Sequence, residues 1–97
     1  MKLAVDGMGG DNAPKAIIDG VFIALEEFKD LQVVLYGQQD KMEPFLKVHD
    51  RLTVVNCEEV VEGDDDPARA VRRKKDSSMA KMLDAVASGE ADACLSA

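Results

Sequence analysis

Three short runs, Leu3 to Val5, Leu31 to Tyr36 and Leu52 to Val55, are apolar almost throughout, and segments with helical spacing lie between them. A strand with one wet face alternates apolar and polar residues, whereas a strand covered on both faces does not. Buried strands that alternate with helices restrict the chain to a mostly parallel sheet between helical layers, a three-layer α/β/α arrangement. With 97 residues, 46% of them hydrophobic, the chain forms one domain and buries roughly 60–65% of its unfolded surface.

The pattern predicts strands at Lys2 to Asp6, Leu31 to Tyr36, Leu52 to Asn56 and Asp92 to Ser96. The first helix begins near Pro14, with Asp11 or Asn12 as its cap, and presents Ile17, Val21, Leu25 and Phe28, with Ile18 and Phe22 beside them, to the sheet. Met42, Phe45 and Leu46 suggest a short helix that Pro44 starts late or kinks. A last helix from about Ser77 carries an apolar stripe of Met79, Met82, Leu83 and Val86, and Gly89 suits a left-handed cap.

The formal net charge of −7 argues against general nucleic-acid binding, so an anionic substrate has to be drawn by a local basic patch. The two cysteines, Cys57 and Cys94, sit in or beside apolar runs without metal-ligand spacing and read as reduced, packed thiols, which suits a cytoplasmic protein. His49 has no Cys, Ser or second His at a useful spacing and reads as a solvated surface residue. No signal peptide, spanning helix, catalytic triad or metal cluster can be assembled.

Two segments carry chemistry. Asp6-Gly7-Met8-Gly9-Gly10-Asp11-Asn12-Ala13-Pro14 is a glycine-rich turn from a strand into a helix, where backbone N–H groups and the helix dipole can face a phosphate or carboxylate. It lacks the third glycine of a dinucleotide fingerprint and the Lys-Ser/Thr pair of a P-loop, and a plain tight turn explains its glycines equally well. Asp6 and Asp11 flank it and are expected to point to the same mouth. In the second segment, Asp64, Asp65 and Asp66 precede a helix that ends near Arg72, Arg73, Lys74 and Lys75, and Asp65 can reach Arg69. Dipole complementation accounts for one or two of those cations, and the surplus favours an anionic partner. Asp76-Ser77-Ser78 then supplies a helix cap with free donors beside them.

Taken together, Ala4 to Pro14, the run from Asp65-Asp66-Pro67-Ala68 to Arg72-Arg73-Lys74-Lys75-Asp76-Ser77-Ser78-Met79, and Gly89-Glu90-Ala91-Asp92-Ala93-Cys94-Leu95-Ser96-Ala97 resemble the N-terminal part of the bacterial phosphate acyltransferase family, PlsX. The resemblance spans the whole chain, with departures at Gly7, where that family usually carries alanine, and at Pro44. It implies a Rossmann-like fold of the isocitrate and isopropylmalate dehydrogenase type, of which residues 1 to 97 are the beginning. It also implies transfer of a fatty acyl group from acyl carrier protein to inorganic phosphate, giving acyl phosphate for phospholipid synthesis, without cofactor or metal, in a homodimer that meets the membrane peripherally. The expected phosphate ligands are Gly9, Gly10, Asn12, Ser77 and Ser78, with Asp11 and Lys75 as catalytic groups and Arg72, Arg73 and Lys74 facing the acidic carrier protein. A chain that stops at Ala97 is expected to be inactive and poorly soluble alone. Two other readings stay open on the residues: a nucleotide-binding or dehydrogenase-like domain, and a non-enzymatic module that holds an acidic protein.

Overall fold

Four parallel strands, β1 (Lys2–Asp6), β2 (Gln32–Gly37), β3 (Leu52–Asn56) and β4 (Ala93–Leu95), hydrogen-bond in the order β3-β2-β1-β4. These come from a computed structural model that describes residues 1–61 and 65–96; Asp64 and Ala97 lie outside the described residues. Helices α1 (Lys15–Glu27), α2 (Gln39–Met42), α3 (Pro67–Arg73) and α4 (Ser78–Ala87) alternate with the strands, and a 3-10 turn at Glu43–Phe45 follows α2. Pro44 therefore tightens the end of the short helix.

Alternation along each strand divides the core in two. Val5, Val33 and Leu35 pack with Ile18, Val21, Leu25 and Met42 on one face, while Ala4 and Tyr36 pack with Cys57, Met82, Ala85 and Ala91 on the other. Both faces of β1 and β2 are thus covered, which is why their sequences are apolar without alternation.

Several local expectations are corrected. The buried line of α1 is Ile18, Val21 and Leu25. The helix stops at Glu27, so Phe28 takes an extended conformation and turns outward, 61% exposed. Pro14 itself flanks the helix and no side chain caps it, so neither Asp11 nor Asn12 does so; Asn12 instead accepts from Ala16 N–H through its backbone carbonyl at 3.1 Å. On α4 the buried residues are Ser78, Ala80, Met82 and Ala85, and Leu83 is 42% exposed. A serine begins the buried face because its hydroxyl has an internal partner, which periodicity of apolar residues alone does not register. Gly89 has the expected left-handed conformation, φ 84°. β2 includes Gly37, and β4 is only three residues long.

His49 is half-buried: its Nδ1 accepts from Arg51 N–H at 3.0 Å and its ring lies 6.5 Å from that of Phe22. It organises a turn and is not a solvated side chain. Asp65 pairs with Lys74 at 2.9 Å, and Arg69 approaches Asp66 at 3.8 Å, so the expected Asp65 to Arg69 pair is replaced. Asp66 uses its carboxylate to cap α3 at Ala68 N–H.

Candidate functional site

The strand order creates a switch point: the chain moves from β1 to β2 to β3 and then returns to place β4 on the other side of β1. In open α/β sheets, ligands bind beyond the carboxyl ends of strands at such a point. Here those ends are Asp6 of β1 and the residue after β4, Ser96.

Asp6 is 4% exposed and its carboxylate gathers three donors. Oδ1 accepts from Met8 N–H at 3.0 Å and from Ser78 Oγ at 2.6 Å, and Oδ2 accepts from Ser96 Oγ at 2.9 Å. A buried carboxylate is tolerated when several donors satisfy it. The acceptor links the glycine turn, the first turn of α4 and the end of β4, segments 72 and 90 residues apart. Asp6 and Asp11 therefore do not point to one mouth, since Asp6 is turned inward and Asp11 is exposed.

Within the glycine turn, Gly7 N–H continues the ladder to Tyr36 O at 2.8 Å. Gly10 has φ 91°, a conformation that side chains beyond glycine rarely take. The N–H groups of Gly9 and Gly10 have no acceptor among the described residues. At α4, Ser77 Oγ accepts from Ala80 N–H at 3.1 Å as the helix cap. Ser77 N–H donates to Lys74 O at 3.0 Å, a parallel bridge between Glu59 and Ser77 turns Ser78 N–H toward the Glu59 carbonyl, and Met79 N–H has no described acceptor, as expected in a first helical turn. Ser77 and Ser78 are 0% and 1% exposed as whole residues, so neither their hydroxyls nor their backbone reaches the surface, and Met79 is the first residue of α4 that is only partly buried.

The start of α4 is clamped from the other side by the segment after β3. Asp76 Oδ2 accepts from Glu58 N–H at 2.9 Å, Glu59 N–H donates to Asp76 O at 3.2 Å, and Lys81 Nζ meets Asp76 Oδ1 at 2.7 Å while reaching Asn56 O at 3.3 Å. The hydrogen bond from Lys81 holds the Asp76 carboxyl below its ordinary range, and the same contact raises Lys81. Cys57 lies buried nearby, and burial pushes its thiol up.

The basic run is divided. Lys74 Nζ is tied to Val60 O and to Asp65 Oδ2, both at 2.9 Å. Arg72 and Arg73 lie exposed in the last turn of α3, and Lys75 is exposed in the turn that leads to α4. None of these three forms an ion pair with a described residue. Asn12 is exposed on the glycine turn. Among the described residues, no group of three His, Cys, Asp or Glu lies close enough to hold a metal, and no helix is long and apolar enough to cross a membrane.

Residues 1–97 match the model of the fatty acid synthesis protein family from end to end. The chain belongs to this family. It is 74% identical over 97 residues to a phosphate acyltransferase of Lysinibacillus sphaericus, covering all of this chain and 29% of that protein. It is 58% identical to one of Bacillus licheniformis and 50% identical to one of Staphylococcus aureus strain Newman, again over the whole chain and 29% of each. This member of the fatty acid synthesis family thus spans 29% of the length of the curated relatives it matches.

Sequence reasoning singled out the turn and the basic run in this family member but missed Asp6 as the group that joins them, and missed Ser96 and Lys81 altogether. One signal was available for Asp6: a charge that ends a doubly covered strand is buried unless the strand frays, and a buried carboxylate implies donors. Nothing in the sequence named which donors, because they come from residues 78 and 96.

Proposed function

We propose that the full-length protein transfers a fatty acyl group from acyl carrier protein to inorganic phosphate and that residues 1 to 97 supply the phosphate end of its site. The observation that carries this reading is that Gly9, Gly10 and, in the first turn of α4, Met79 have N–H groups with no acceptor among the described residues, on two segments that Asp6 ties together at the sheet's switch point. It accords with the phosphate acyltransferase names of relatives up to 74% identical. The wider enzyme takes the isocitrate and isopropylmalate dehydrogenase type of fold, of which this is one part, and works as a homodimer that touches the membrane peripherally.

The chemistry asks little of side chains. A phosphate oxygen attacks the thioester carbonyl carbon, forming a C–O bond and a tetrahedral oxyanion. The C–S bond then breaks, and the leaving sulfur, with a pKa of about 8.5 for a simple thiol, takes a proton from solvent. The protein has to place phosphate and stabilise the oxyanion. Gly9, Gly10 and Asn12 of the turn and the Met79 N–H at the start of α4, a helix that Ser77 caps and Ser78 anchors, bind phosphate, Lys75 balances its charge, and Asp11 shares the proton of hydrogen phosphate. Arg72 and Arg73 face the acidic carrier protein. Lys74 supports them by holding the end of α3 to Val60 and Asp65.

The test is a mass-spectrometric assay for acyl phosphate, with acyl carrier protein thioester and phosphate supplied to the full-length enzyme. Product that requires both substrates supports the reading, and thioester hydrolysis without acyl phosphate overturns it.

A further inference from the structure

We propose that Asp6 is a positioning residue for the phosphate site. This rests on the acyltransferase reading and adds to it a buried carboxylate that touches neither substrate.

The argument starts from proton direction. A carboxylate at neutral pH only accepts, so Met8 must donate its N–H and Ser78 and Ser96 must donate their hydroxyl protons to Asp6. The Ser78 hydroxyl is therefore already committed inward, at 2.6 Å, and cannot also donate to a ligand. An anion at this edge is left with backbone N–H groups, and Asp6 determines where those groups point. By drawing Met8 N–H inward, it fixes the turn one residue before Gly9. By holding Ser78, it fixes the first turn of α4, whose axis direction sets where the Met79 N–H group faces. By holding Ser96, it ties the end of β4 to the same point. Three segments remote in sequence thus share one acceptor, and a shift of its oxygens moves two sets of donors relative to each other.

The buried negative charge below an anion site would oppose phosphate if it were bare. Three donors disperse it, and two of them close on a single oxygen. Charge-assisted hydrogen bonds of this kind are short and stiff, which suits a group that has to hold geometry. Placement errors near 1 Å cost about 100-fold in rate in a reaction that depends on orientation.

The experiment uses the full-length enzyme with Asp6→Asn, Ser78→Ala and Ser96→Ala. Asparagine keeps one acceptor oxygen for Met8 and Ser78 but presents an amide to Ser96. Asp6→Asn is expected to raise the KM for phosphate about 10-fold or more while the KM for the acyl carrier thioester changes less than about 2-fold. Asp6→Asn combined with Ser78→Ala is expected to be less than additive, because both remove the same constraint. Thermal unfolding is recorded for each variant. A phosphate KM unchanged in Asp6→Asn, whether or not the maximal rate falls with the amount of folded protein, or both KM values raised to the same extent, overturns the proposal. Should Asp6→Asn fail to fold, Ser96→Ala, which leaves the other two donors, carries the same test with the same outcomes. Phosphate binding is read in parallel from 31P line broadening, without turnover. Wild-type enzyme that broadens the phosphate signal but forms no acyl phosphate defeats the acyltransferase reading alone, whereas equal broadening by wild type and Asp6→Asn defeats the positioning role alone.

Discussion

Arg51 Nη2 donates to the carbonyl of Leu25 at 2.6 Å, and its Nη1 donates to the carbonyls of Phe28 and Leu31, both at 2.8 Å. One guanidinium at the start of β3 thereby closes the open end of α1 and the turn that leads to β2. The planar fork matches three carbonyls at once, which an ammonium cannot.

Replacing Arg51 with alanine removes three hydrogen bonds, although the Phe28 carbonyl keeps the Leu31 N–H at 3.1 Å, and is expected to cost about 2 kcal/mol of stability in the full-length enzyme. Arg51→Lys should recover less than half of that. Urea unfolding midpoints give the comparison, and full recovery by lysine would show that charge, and not the fork, matters.

Met42 explains the glycine at position 7. A Cβ built there would lie 2.7 Å from Met42 Sδ and 3.2 Å from Tyr36 O, and one at Gly37 would lie 2.7 Å from the same sulfur. Met42, fully buried, fills the space between two strand ends. Gly7→Ala alone is expected to destabilise by about 1–3 kcal/mol through overpacking. Combined with Met42→Val, the loss should be smaller than the sum by about 1 kcal/mol. Strict additivity in a double-mutant cycle would remove Met42 as the cause.

The Asp76–Lys81 pair has a defined pH window. Asp76 is lowered from 3.8, so its contribution is present above that value and is lost as pH falls through the lower folded value. Lys81 is raised from 10.5, so its contribution is present below that value and is lost as pH rises through the higher folded one. Asp76→Ala should therefore destabilise by a constant amount across the neutral range. The difference from wild type should shrink as pH falls below 3.8 toward the lowered folded value, or rises above 10.5 toward the raised one. Denaturant titrations at neutral and strongly acidic pH check this, and a difference that persists at the acid end counts against the pair.

Cys57 is fully buried, and burial pushes its thiol pKa above the ordinary range. Since the thiolate is the reactive form, alkylation at neutral pH should reach Cys57 only after unfolding. Peptide mapping after iodoacetamide treatment, with and without urea, measures it. Rapid labelling of the folded protein would show that the segment after β3 opens.

For the carrier protein, Arg72→Ala with Arg73→Ala should raise the KM for acyl carrier protein and flatten its dependence on salt, with the phosphate KM unchanged. Steering charges act mainly on association. A salt dependence equal to that of wild type would remove the two arginines from the docking surface.

The sequence alone determined the architecture, because burial on both faces writes itself into a strand as unbroken apolarity, and all four strands were legible, three in Leu3 to Val5, Leu31 to Tyr36 and Leu52 to Val55 and the fourth within Asp92 to Ser96. It also marked the glycine turn and the Ser77 cap, since both are local: one needs a positive φ at Gly10 and the other a hydroxyl at a helix start. What it could not determine are the partners of polar side chains that meet through space. Asp6 with Ser78 and Ser96 and Arg51 with Leu25 were decided by which strand lies beside which, and a hydrogen bond between residues 72 or 90 positions apart leaves no periodicity in the chain. The same reason displaced the stripe on α4 toward Ser78: tertiary structure can bury a polar group wherever a partner waits, and only the folded chain supplies the partner.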